Sequence, residues 1–155
     1  MPTDPIRGLL DTNIVILRRG IDPDELPDEM AISAITLAEL SAGVHLVSGD
    51  NAEAIEERAR RADVLQRAES EFDPIPFETE SARAFGRISA AVQAHGRTPR
   101  RRMADLMIAS IAAAAELPLY TTNPADFDGL EAIIRVVAVR RPPGVTLIHG
   151  PNQIR

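Results

Sequence analysis

Three times along this chain a short apolar run ends on a polar turn and passes straight into helical spacing. The segments are "GLLDTNIVIL" (residues 8–17), "AISAITLAEL" (31–40) and "PLYTTNPADF" (118–127). Runs this short, bounded by turn formers, read as buried strands. Strands that alternate with helices predict an α/β fold built on a mostly parallel sheet. In such sheets ligands gather outside the C-terminal ends of the strands. Asp11, residues 36–39 and residues 121–126 are thereby predicted to share one edge.

The remaining segments fill the same plan. Residues 6–11 and 30–35 read as the first two strands, and 36–47 as a helix with Leu37, Leu40, Val44 and Val47 on one side. Residues 51–70 are rich in Ala, Glu and Arg, and Glu56 and Glu57 lie one turn before Arg60 and Arg61. "FDPIPF" (72–77) reads as an extended piece fixed by two prolines. Residues 79–96 predict an amphipathic helix with Ala82, Phe85, Ile88 and Val92 inward and Gly96 as its stop. After a basic loop, 103–117 predict a buried helix, 118–122 a brief strand, 123–127 a helical turn and 133–139 a last core strand. Residues 1–140 are expected to form one domain. The Pro- and Gly-rich tail, 141–155, is expected to wrap its surface or fray.

The bulk numbers narrow the chemistry. There is no cysteine, which excludes disulfides and thiolate metal sites. No secretory signal or membrane-length apolar run is visible, so a cytoplasmic protein with no membrane contact is the expectation. The net charge of −6 argues against nonspecific coating of nucleic acid. Basic islands exist nonetheless at 58–61, 97–102 and 135–141.

Four acids stand at the predicted edge, and each has an ordinary explanation. Asp11 suits a helix cap. Thr36 and Glu39 match a capping box. Asn123, Pro124 and Asp126 make a sound helix start. Asp105 fits less well, because it sits among Met103, Leu106, Met107 and Ile108 on an apolar helix. Brought together, four carboxylates would repel one another unless a cation sat among them. An all-oxygen set without cysteine or a nearby histidine suits Mg²⁺ or Mn²⁺ rather than zinc.

In this order, the blocks "LLDTNIVI", "AISAITLAEL" and "RRMADLMIASIAAAAELPLYTTNPADF" resemble the PIN-domain nucleases, most of all the VapC-type toxins of bacterial toxin–antitoxin pairs. The likeness runs over about residues 6–139. It implies a PIN-like α/β/α sandwich around a five-stranded, mostly parallel sheet. Asp11, Glu39 and Asp105 match the family's metal-binding and catalytic acids, and Asp126 its more variable fourth acid. Thr12, Asn13, Thr122 and Asn123 match positioning residues. The resemblance also implies Mg²⁺-dependent endonucleolytic cleavage of RNA, a homodimer and a cognate antitoxin as partner.

The chemistry is coherent with those residues. A bound divalent ion would reverse the field that carboxylates present to a phosphodiester and activate a water for attack. Arg100, Arg101 and Arg102 precede Asp105 and are candidates to grip flanking phosphates of RNA. Two other readings compete. A phosphatase with an aspartate nucleophile would want Asp-x-Asp and a lysine, whereas the chain has Asn13 and no lysine. A PIN-like module that binds RNA or protein without cutting would keep the fold and lack the activity.

Overall fold

A computed structural model describes residues 3–144. Four strands, β1 (Arg7–Leu10), β2 (Glu29–Ala31), β3 (Leu119–Thr121) and β4 (Val136–Ala138), form a parallel sheet in the order β2-β1-β3-β4. Five helices accompany them: α1 (Thr12–Leu17), α2 (Ala34–His45), α3 (Ala52–Glu71), α4 (Thr79–Ala94) and α5 (Met103–Ala115). Among the described residues, no helix is long and apolar enough to cross a membrane.

Strand alternation divides the core into two layers. In β1, Leu9 joins Ile88, Val92, Leu106 and Ile111 from α4 and α5. Its neighbour Leu10 joins Ile14, Leu40 and Ala68 from α1, α2 and α3. Leu119 and Tyr120 of β3 split the same way. Successive side chains of a strand point to opposite faces, so each central strand feeds both cores. The result is the expected α/β/α sandwich.

The sheet has four strands among the described residues rather than the five expected. The place of a fifth is taken by Ile75, which makes a single parallel bridge to Ser33. Ile75 donates to the Ile32 carbonyl at 2.9 Å and accepts from the Ala34 N–H at 2.8 Å. Pro74 and Pro76 flank it and have no N–H to continue a ladder, so pairing stops after one residue.

Other boundaries shift for local reasons. Ser33, not Thr36, caps α2, its hydroxyl accepting from the Thr36 N–H, so the helix starts at Ala34 and the strand before it is shorter than expected. The last strand contracts to Val136–Ala138. On α4 the buried residues are Ser81, Ala84, Ile88 and Val92, and Ala82 faces solvent. The basic stretch 58–61 is structural. Arg58 donates to the Val47 and Gly49 carbonyls, and Arg60 and Arg61 pair with Glu57. Of the expected tail, Pro142 is buried and lies over Gly20, while 145–155 fall outside the described residues.

Candidate active site

Asp11 is the first residue past β1 and the N-cap of α1. One carboxylate oxygen accepts the Thr12 N–H at 2.8 Å, and the other accepts the Thr121 hydroxyl at 2.9 Å. Its own N–H is held by the Tyr120 carbonyl at 2.9 Å. Asp11 is therefore a cap, as its surroundings in the chain suggested, and it is also the point where β1, α1 and β3 are tied together. It is only 5% exposed. Burial raises its pKa above the usual carboxylate range; bonds from Thr121 and Thr12 oppose this, and the nearby charge of Asp126 adds to it.

Glu39 arrives from α2, and it does not close a capping box with Thr36. Its Oε1 instead accepts the Thr12 hydroxyl at 2.7 Å. That hydroxyl stands 3.0 Å from the Thr36 hydroxyl, which in turn lies 3.4 Å from Ser33 Oγ. Thr12 has one hydroxyl proton. When it is given to an ionised Glu39, Thr36 must donate to Thr12. Burial, opposed by Thr12 and helped by repulsion from Asp11, pushes the Glu39 pKa up to about 7.

Asp105 is buried in the first turn of α5. Asp126 lies on the short helical turn Pro124–Phe127 after β3, where its carboxylate meets Arg102 at 2.8 Å. Asn123 begins that turn without a side-chain capping bond, and its backbone N–H reaches the Thr121 hydroxyl at 3.0 Å. Asn123 also accepts from Arg141 at 3.2 Å. The Thr122 hydroxyl is buried with no hydrogen-bond partner, and Asn13 is half-buried behind Thr12. Arg100 is exposed at the basic loop.

Asp11 is thus the shared neighbour, since it feels the charge of Asp126 and its own charge is felt by Glu39, with Thr12 and Thr121 as ties. The oxygen donors suit a hard dication, which would relieve the burial and repulsion that now favour protonation. Among the described residues no three acids already stand grouped as a cage for an ion. Thr121 and Ser33 were not singled out from sequence. The available signal was their place as polar residues at the end of a predicted strand, just before a helical segment.

A family model described as the PIN domain matches residues 9–132, which spans β1 through the turn after β3. The chain belongs to the PIN domain family. Ribonuclease VapC5 of Mycobacterium tuberculosis is 33% identical over 143 residues, covering 90% of this chain and 99% of that protein. Ribonuclease VapC8 of the same species is 39% identical over 111 residues, covering 71% and 91%. Among solved structures, VapBC-5 from M. tuberculosis, a member of the VapBC family of toxin-antitoxin systems, superposes with a TM-score of 0.71 at 32% identity, over 88% of this chain and 99% of that one. In this PIN domain the matched region holds all four acids and both tying threonines.

Proposed function

We propose that this PIN domain is an endoribonuclease that hydrolyses RNA phosphodiester bonds with a divalent ion, Mg²⁺ or Mn²⁺, as the toxin of a toxin–antitoxin pair. The observation that carries this reading is that Asp11, just past β1, and Glu39, on α2, are both buried and linked through Thr12, while Asp105 is buried in the first turn of α5. Burying three carboxylates is unfavourable in a protein that never binds a cation there. Relatives named as ribonucleases supply the substrate class.

Asp11 and Asp105 would hold the ion, with Glu39 and Asp126 at its margin to orient water. When bound, the ion supplies Lewis-acid polarisation of the phosphate and makes a water more acidic. The rest is done by side chains of this chain. Thr12 and Thr121 each occupy one direction at an oxygen of Asp11, leaving each oxygen a further lone pair. Thr12 also fixes the aim of Glu39. Thr122 and Asn123 shape the turn that carries Asp126. Arg100, exposed on the short helical turn Pro99–Arg102 before Asp105, would meet phosphates that flank the scissile bond, while the side chain of Arg101, read for the same role, lies outside the described residues. The partners in this reading are RNA, a cognate antitoxin and a second copy of the chain, in the cytoplasm.

The test is cleavage of total cellular RNA by the purified, antitoxin-free protein, with Mg²⁺, with EDTA and with Asp11→Asn. Discrete fragments that require both the ion and Asp11 are expected. Intact RNA, or cleavage indifferent to Asp11, would leave a PIN-like module that binds without cutting.

A further inference from the structure

Arg102 opens α5 as its N-cap residue, and Asp105 follows in the first turn. The guanidinium does not extend into solvent. One nitrogen, Nη1, donates to the Asp126 carboxylate at 2.8 Å and to the Asp126 carbonyl at 3.2 Å. Both side chains are about two-thirds buried, at 33% and 35% exposure. The same turn is braced from outside by Arg97, which donates to the Ala125 carbonyl at 2.8 Å and stands 3.5 Å from Asp128. Two arginines therefore grip one short turn, but only Arg102 takes the acid whose charge is felt by Asp11.

The guanidinium takes one direction at Oδ1 of Asp126 and neutralises the carboxylate's charge, which weakens it as a metal ligand. It also places a fixed positive charge where a second dication would sit, and like charges at contact distance repel strongly in a partly buried site. We propose that Arg102 is an internal counter-cation that holds Asp126 out of the metal shell and so limits the site to a single divalent ion. RNA changes the balance. A phosphodiester can face the guanidinium with two oxygens at once, where the Asp126 carboxylate meets a single nitrogen, and this frees Asp126 for a second ion only when substrate is seated. Arg102 is in this account a positioning residue with a regulatory effect. The inference rests on the metal-dependent reading above.

The test is a Mn²⁺ titration of the full, metal-stripped chain without RNA, followed by calorimetry and by the electron-paramagnetic signal of free Mn²⁺. The unaltered protein and Arg97→Gln are expected to bind one ion. Arg102→Gln is expected to bind a second, which the Arg102→Gln/Asp126→Asn double variant loses again. Asp126→Asn alone, which does not depend on Arg102→Gln folding, is expected to keep the first ion. A loss of affinity in that variant well beyond the roughly 10–100-fold usual for an outer partner would place Asp126 on the first ion and overturn the inference. Equal stoichiometry in Arg102→Gln and the unaltered protein would overturn it alone. No Mn²⁺ bound by any of these proteins would overturn both it and the metal-dependent reading.

Discussion

The Thr12 hydroxyl donates to Glu39 at 2.7 Å, joining the first residue of α1 to the second helix. The backbone N–H of the same residue serves Asp11. One small side chain thus sets the spacing of two acids that burial and charge would otherwise drive apart.

Thr12→Val keeps the shape and removes the hydroxyl. Glu39 then loses a bond that favours its ionised form, and its pKa rises further. RNA cleavage is expected to fall by about 10–100-fold, the usual effect of removing an outer partner at a metal site. Helical content should be unchanged. The measurement is single-turnover cleavage in Mg²⁺ with circular dichroism on the same samples.

The metal-free protein should be more stable in mild acid than at neutral pH. Glu39 titrates near 7 when folded and near its ordinary value of 4.5 when unfolded. Between those values the folded state binds the extra proton, so stability present below about pH 4.5 is lost as pH rises toward 7. The full window is worth roughly 3 kcal/mol as an upper figure, and Asp11 acts with the same sign. Urea unfolding in EDTA across pH 5 to 8 should show the decline. Glu39→Gln should flatten it and raise stability at pH 8.

Gly8 is fixed by contact. A Cβ there would stand 2.3 Å from Cε2 of the Tyr120 ring on the neighbouring central strand. Tyr120 is buried in the core beside Leu10, and its ring has nowhere to retreat without disturbing that layer. Gly8→Ala is expected to lose about 1–3 kcal/mol by overpacking, read as a lower urea midpoint with an unchanged slope.

The end of α5 offers a gain. Glu116 sits in the left-handed region, with φ 55° and ψ 40°, and Leu117 returns its N–H to the Ala112 carbonyl at 3.0 Å. This is a Schellman ending with a side chain at the position glycine prefers. Glu116→Gly should stabilise the fold by about 1 kcal/mol, seen as a higher melting temperature with activity intact.

The places of the acids were legible because the pattern that reveals them is local. A strand ending in Asp-Thr-Asn, and another ending in Thr-Thr-Asn, announce themselves within ten residues. What each acid touches was not legible. Glu39 was balanced between a cap and a ligand, and it turned away from Thr36 because Ser33 already served that helix. Arg102 looked like a free cation because Asp126 lies 24 residues on. The missing fifth strand was half visible, since the two prolines that flank Ile75 were plain. Their effect, a ladder of one rung, needed the neighbour to be known.

The longest tie in the site has a consequence for synthesis. Thr121 reaches Asp11 across 110 residues, and β1 lies between β2 and β3 in the sheet. A growing chain exposes its first acid almost at once. It can seat that acid only after β3 has left the ribosome, when the open side of β1 is finally covered. A product cut short between Asp105 and Leu119 carries three of the four carboxylates but cannot hold Asp11 in place. The emergence of β3 is itself the step that fixes Asp11 in place.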